Sequence, residues 1–181
     1  MVWQALNFVT LWAVLQILHE LHYVSNFDTI YAVKNARLPG RFEFINGSPS
    51  WLLDVAHNVA AVESLVSTTS RFFSRDRIVA VMGATDPHDY RSMIRIMCSL
   101  GTRIGFVEGF YRAISATKLA VEVSTTSQLL RIFATPAEAI DYFLGAPAFA
   151  EMTVIVTGSL LLVGQWRNEL AQRGLLAEKD C

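Results

Sequence analysis

The chain has 181 residues, of which 52% are hydrophobic and 17% are charged, so it has enough apolar side chains for one sizeable globular core. Its 15 basic and 16 acidic residues give a net charge of −1, and the sequence has no basic run of the kind that binds nucleic acid. The two cysteines, Cys98 and Cys181, have no metal-ligand spacing, which favours a reduced, cytoplasmic protein.

The first predicted elements are two helices, at residues 2–22 and 28–36. The opening run MVWQALNFVTLWAVLQIL lacks the basic residues and the cleavage site of a signal peptide, and polar residues interrupt it. We therefore predict no membrane span. Apolar residues lie on nearly every side of the helix, which predicts a buried helix that packs on more than one side.

Strand and helix patterns alternate along the rest of the chain. Pro39-Gly40 ends the helical region, and RFEFI begins a strand. Further apolar strands are predicted at 51–56, 77–83, 102–108, 129–134 and 152–158, with helical patterns at 59–73, 88–100, 115–123, 136–146 and 159–171. Strands this continuously apolar are usually covered on both faces. The predicted fold is α/β, a Rossmann-like, mostly parallel sheet with helices on both faces, preceded by two helices.

Polar residues follow several of these strands at the point where each strand ends. Asp54, His57 and Asn58 follow the strand in SWLLDVAHN, and the segments GATDPHD, EGFYR and TGS follow three others. Ligands of open α/β sheets bind at the carboxyl ends of the strands. The spacing therefore favours a ligand site at this edge of the sheet.

Each of these residues also has a purely structural interpretation. An aspartate in the position of Asp54 most often caps the next helix, and His57 and Asn58 also suit a cap and a turn. Asp86 or Asp89 suits the N-terminus of the following helix, and TGS suits a small-residue turn. The sequence has no phosphate loop and no G-x-G-x-x-G motif. Spacing alone leaves capping and ligand binding open.

Four motifs carry a family resemblance: LPGRFEF, LLDVAHN, VAVMGATDPHDY and VIVTGSLLLVGQWR. They occur in the order seen in the C-terminal domain of folylpolyglutamate synthases and dihydrofolate synthases, in the Mur ligase superfamily. The chain resembles that domain from about residue 5 to residue 170. The resemblance implies that residues 1–38 are a helical remnant of the central ATPase domain and that residues 39–181 are a Mur-ligase-type C-terminal domain.

The resemblance also implies a role for five residues. Asn7 corresponds to the asparagine that contacts adenine, Arg41 to the arginine that reaches the nucleotide, and Asp54 to the aspartate that binds it, at the ribose hydroxyls. His57 and Ser159 correspond to residues associated with the incoming glutamate. No residue of this chain is assigned a catalytic or a metal-binding role.

The implied activity is that of an ATP-dependent carbon–nitrogen ligase of folate biosynthesis and one-carbon metabolism. The implied ligands are ATP, Mg²⁺, L-glutamate and folate or dihydropteroate. In the family, the ATPase domain carries the phosphate loop, the metal ligands and most of the folate site, and this sequence lacks those motifs. We therefore expect the chain to close over ATP and to position L-glutamate, to be inactive alone, and to have a separate ATPase-domain chain as a candidate partner.

Two other function classes stay open at this stage. One is a catalytically silent α/β module that binds a nucleotide or a protein partner, and the other is a fragment of a Mur peptidoglycan ligase. Growth rescue by folate end products, rather than by cell-wall precursors, separates the two ligase branches. The sequence leaves open whether the chain is a fragment, a split subunit or a degenerate copy, and whether it serves the first glutamate addition or chain extension.

Overall fold

The computed structural model of the protein describes residues 2–24, 38–86, 89–123 and 128–176, with the backbone alone for residues 2–8. The chain divides into two compact units, Met1–Leu38 and Pro39–Cys181. The first unit contains helix α1 (Val2–Glu20). The second predicted helix, at 28–36, lies outside the described residues.

Most of the apolar side chains that the structure describes in helix α1 are exposed. Val9, Leu11, Trp12, Val14 and Ile17 are all at least 44% exposed. The prediction of a buried helix is therefore wrong for this part of α1, because burial of apolar residues on every side requires neighbours around the whole circumference. Among the described residues, no helix is long and apolar enough to cross a membrane.

We expect the exposed apolar surface of α1 to drive self-association. Covering several hundred Å² of apolar surface stabilises a complex by several kcal/mol at ~25 cal/mol per Å². Replacing Leu11 and Val14 with glutamine should therefore reduce association, whereas Val121→Gln, at an exposed apolar residue of the second unit, should not. Sedimentation velocity over a range of concentrations measures this. A wild-type chain that stays monomeric and binds no hydrophobic dye contradicts the expectation.

The second unit is one six-stranded sheet with helices on both faces. Its described elements are β1 (Glu43–Ile45), β2 (Ser50–Leu53), α2 (Val59–Phe72), β3 (Ile78–Met82), α3 (Tyr90–Cys98), β4 (Ile104–Val107), α4 (Ala116–Ala120), β5 (Leu129–Phe133), α5 (Pro136–Gly145), β6 (Thr153–Thr157) and α6 (Leu160–Gln172). The strand order is β1-β2-β6-β3-β4-β5. Only the β1–β2 pair of this sheet is antiparallel. This arrangement confirms the predicted α/β class and the mostly parallel sheet.

Alternate residues of each central strand enter two separate cores. Trp51 of β2 packs on one face, where its ring centroid lies 6.2 Å from that of Phe143 in α5 and 5.8 Å from that of Trp166 in α6. Leu52 points to the opposite face, in the apolar cluster that includes Met93 of α3. Because both faces are covered, the strands have no polar alternation, as the sequence predicted.

Candidate ligand-binding site

The loops that follow β2, β3 and β6 are joined by backbone hydrogen bonds. The Asp54 N–H donates to the Val156 carbonyl at 3.0 Å, and the Gly158 N–H donates to the Ala56 carbonyl at 2.9 Å. Gly158 has φ +103°, and a Cβ there would lie 2.2 Å from the carbonyl oxygen of Gly83. The carboxyl ends of three neighbouring strands therefore meet in one continuous surface, which we call the carboxyl edge.

Asp54 connects two segments of this edge through its side chain. Its Oδ1 accepts a hydrogen bond from the Ala56 N–H at 2.9 Å, and its Oδ2 accepts one from the Phe42 N–H at 2.9 Å. It does not cap helix α2, because the N-cap is Asn58, whose Oδ1 accepts from the Ala61 N–H at 2.9 Å. The capping interpretation of Asp54 is therefore wrong, and that of Asn58 is confirmed.

The pKa of the Asp54 carboxyl lies above its ordinary value, mainly because the group is partly buried. The hydrogen bonds from the Phe42 and Ala56 N–H groups and the positive charge of Arg41 act in the opposite direction. The carboxyl of Asp54 is therefore partly shielded from water and held by two backbone N–H groups.

Arg41 projects from a turn whose backbone is held in an uncommon conformation. Its neighbours Gly40 and Phe42 have φ values of +72° and +50°. A positive φ is costly for a residue with a bulky side chain, so Phe42 needs an external constraint. The bond from its N–H to Asp54 supplies this constraint. The Arg41 side chain itself is exposed.

His57 lies half-buried directly after the segment that Asp54 fixes. Its Nδ1 lies 2.9 Å from the carbonyl oxygen of Val55. Because a carbonyl oxygen only accepts hydrogen bonds, Nδ1 is the nitrogen that carries the proton in this contact. The ring orientation of His57 is therefore set by the main chain of its own loop.

Ser159 is buried at the start of helix α6, with 3% of its surface exposed. Its Oγ accepts a hydrogen bond from the Leu161 N–H at 3.2 Å and so caps the helix. Gly158 and Ala56 are hydrogen-bonded, and Ser159 and His57 are the next residues along the chain. The two residues that the resemblance connected with glutamate thus share one part of the carboxyl edge.

The ends of β3 and β4 carry acidic residues with structural partners. Asp89 caps α3 by accepting from the Ser92 N–H, which confirms its capping interpretation. Hydrogen bonds from the Ser92 side chain, and then from its N–H, lower the pKa of the Asp89 carboxyl. Glu108, the first residue of the EGFYR segment, accepts from the Ala116 N–H at 2.6 Å.

The side chain of Asn7 lies outside the described residues, so its predicted adenine contact stays a prediction. Over residues 38–86, 89–123 and 128–176, no group of three or more His, Cys, Asp and Glu side chains could hold a metal ion.

Sequence reasoning missed two further residues that support the Arg41 turn, Glu43 and Arg167. Glu43 Oε2 accepts a hydrogen bond from the Gly40 N–H at 2.7 Å, and its Oε1 accepts one from Arg167 Nε at 3.0 Å. Both residues lie inside motifs that carried the resemblance, PGRFE and GQWR. They lie 124 positions apart, and neither motif indicates that their side chains pair.

An open, mostly parallel α/β sheet whose polar loops gather at the carboxyl ends of its strands defines the class of Rossmann-like ligand-binding domains. Residues 40–160 match the family model described as Mur ligase, glutamate ligase domain. The chain belongs to this family.

Two curated relatives with similar sequences are dihydrofolate synthase/folylpolyglutamate synthases. The Bacillus subtilis (strain 168) protein is 27% identical over 135 residues, which cover 75% of this chain and 31% of the relative. The Escherichia coli (strain K12) protein is 32% identical over 133 residues, which cover 70% and 29%. The chain thus spans about a third of the length of these relatives.

Solved structures of such enzymes have the same fold. Escherichia coli FolC in complex with ADP, without folate substrate, has a TM-score of 0.67 at 29% identity, covering 77% of this chain and 33% of that one. The bifunctional folylpolyglutamate synthase/dihydrofolate synthase of Yersinia pestis, complexed with AMPPNP and Mn ion, has a TM-score of 0.63 at 25% identity, covering 87% and 38%.

Proposed function

We propose that this chain is the glutamate ligase domain of an ATP-dependent folate:glutamate ligase. In this role it closes over ATP and positions L-glutamate for amide bond formation. The observation that carries the proposal is the gathering of Arg41, Asp54, His57 and Ser159 on one carboxyl edge, within the stretch that matches the family model.

The nucleotide subsite consists of Arg41 and Asp54. An exposed guanidinium offers several donors in a planar fork, which suits the oxygens of a polyphosphate. Asp54 already accepts one N–H at each carboxylate oxygen, and each oxygen keeps lone pairs for a ribose hydroxyl. Asp54 thus has two roles in the proposal: it holds the turn that presents Arg41, and it binds the sugar.

The glutamate subsite consists of His57 and Ser159. His57 is oriented by the Val55 carbonyl, and Ser159 lies at the N-terminus of α6, where backbone N–H groups and the helix dipole favour negative charge. Glutamate carries two carboxylates. Binding of one of them at this subsite leaves the amine of glutamate available to attack an acyl phosphate that another domain holds. The role of His57 in this arrangement is binding.

The phosphoryl-transfer chemistry is assigned to a separate ATPase domain. Mg²⁺ neutralises phosphate charge during such a transfer. As the family resemblance implies, we assign the metal and the folate or dihydropteroate to that ATPase domain.

A domain exchange tests the proposed function. Residues 39–176 replace the matching C-terminal domain of Escherichia coli FolC, and glutamate-dependent phosphate release is measured with a folate substrate. We expect activity above that of FolC lacking the domain, and none from the 181-residue chain alone. A chimera that folds and binds ADP but releases no phosphate supports the silent binding module instead. Phosphate release by the chain alone contradicts the assignment of phosphoryl transfer to a separate ATPase domain.

Substitutions at the glutamate subsite should separate the affinities for the two substrates. In the chimera, His57→Ala and Ser159→Ala should raise the KM for glutamate about tenfold or more and that for ATP much less, because each removes a hydrogen bond to a charged ligand. Asn58→Ala, which removes only the cap of the neighbouring helix, is the matched control. A larger effect on ATP than on glutamate removes the glutamate assignment.

A further inference from the structure

The turn that presents Arg41 is attached to helix α6 by an ion pair. One oxygen of Glu43 accepts from Arg167 Nε at 3.0 Å, and the other accepts from the Gly40 N–H at 2.7 Å. The side chains are 14% and 20% exposed, so solvent screens the pair much less than an exposed one. A single carboxylate thereby joins the backbone of the turn to the middle of α6.

Helix α6 also packs directly against this turn. A Cβ at Gly40 would lie 3.0 Å from Cγ1 of Val163, one helical turn before Arg167. The N-cap of the same helix is Ser159. Helix α6 is therefore a shared support for the nucleotide subsite and for the glutamate subsite.

We propose that Glu43 and Arg167 are positioning residues, whose ion pair fixes the Arg41 turn on α6 and so sets the two subsites relative to each other. The consequence for nucleotide binding rests on the proposed function, whereas the effect on the turn itself does not. A carboxylate paired with a guanidinium is directional as well as charged, so it defines an orientation. An exposed pair such as Arg77–Glu151, at 57% and 82% exposure, holds its partners less firmly, because solvent screens the attraction between the charges.

The first test follows the turn directly by amide hydrogen exchange. Arg167→Met keeps most of the apolar stem but removes the charge and the donor. We expect the Gly40 and Phe42 amides to exchange about tenfold faster in this variant, and Arg167→Lys to restore part of the protection. Arg173→Met is the matched control, because Arg173 ends the same helix but pairs with Asp141 and Glu169.

The second test measures the affinity for ADP by calorimetry. Arg167→Met and Arg41→Ala should each weaken binding about tenfold. If Arg167 acts through Arg41, the double variant should bind no more weakly than Arg41→Ala alone. A residue that merely stabilises the fold gives an additive loss instead.

Three outcomes overturn the positioning inference: unchanged exchange at Gly40 and Phe42 in Arg167→Met, the same acceleration in Arg173→Met, or an additive loss of ADP affinity in the double variant. A wild-type chain that binds no ADP removes the nucleotide subsite from the proposed function. In that case the exchange comparison alone decides the positioning inference, so the two failures are distinguishable.

Discussion

Replacing Gly158 with alanine is expected to destabilise the second unit by about 3 kcal/mol or more, which lowers the Tm by roughly 6–12 °C in a chain of this size. The φ of +103° is unfavourable for any residue with a Cβ. The new methyl group would also lie 2.2 Å from the Gly83 carbonyl oxygen and 3.0 Å from Met82 Cγ. Because the first of these atoms belongs to the backbone of the next loop, the ends of β3 and β6 must separate.

Gly164→Ala is the matched control for this substitution. Gly164 lies inside helix α6, and nothing lies within 4 Å of a Cβ built there. Alanine should therefore stabilise the helix by about 0.5–1 kcal/mol. Thermal unfolding followed by circular dichroism measures both variants. Equal stability of Gly158→Ala and the wild type contradicts the close approach of the two loops.

Asp54→Ala is expected to destabilise the unit by about 2–5 kcal/mol and to remove nucleotide binding. The change leaves the N–H groups of Phe42 and Ala56 without their acceptor, and an unsatisfied buried donor costs about 1–3 kcal/mol. It also releases Phe42 from its positive φ, so the Arg41 turn loses its conformation.

Asp54→Asn and Asp86→Ala separate the contributions of Asp54. Asparagine has the same shape but one acceptor oxygen, so it should retain one of the two N–H bonds and lie between alanine and the wild type. Asp86 is an exposed aspartate that follows β3, and its removal should change neither the stability nor the affinity for ADP. Thermal unfolding and ADP calorimetry measure the set. If Asp54→Ala binds ADP like the wild type, Asp54 has a structural role only.

The fold could be predicted because the chain repeats one local signal. Each strand is a short apolar run, and each following helix begins at a residue with a short polar side chain, such as Asn58, Asp89 or Thr135. These signals lie within a few residues of each other, so no knowledge of distant contacts is needed.

The site was predictable only in part, because its supports join residues that are distant in sequence. The motif DVAHN identified Asp54, but not that its carboxylate holds Phe42, 12 positions away. The pairing of Glu43 with Arg167 spans 124 positions, and no periodicity of either segment encodes it. The surroundings of α1 are also a matter of distant contacts, since its apolar residues show that neighbours would stabilise the helix but not whether they are present.

The central claim is that the carboxyl edge of this sheet binds the nucleotide and glutamate. The most direct measurement is a titration of the ¹⁵N-labelled chain with ADP in Mg²⁺ buffer and then with L-glutamate, followed by amide chemical shifts. The claim predicts that ADP shifts the amides of residues 40–42 and 54–56, and that glutamate shifts those of residues 57–58 and 159–161. Shifts confined to the opposite edge of the sheet, around Arg75–Arg77 and Arg103, or no shift at millimolar ligand, contradict it.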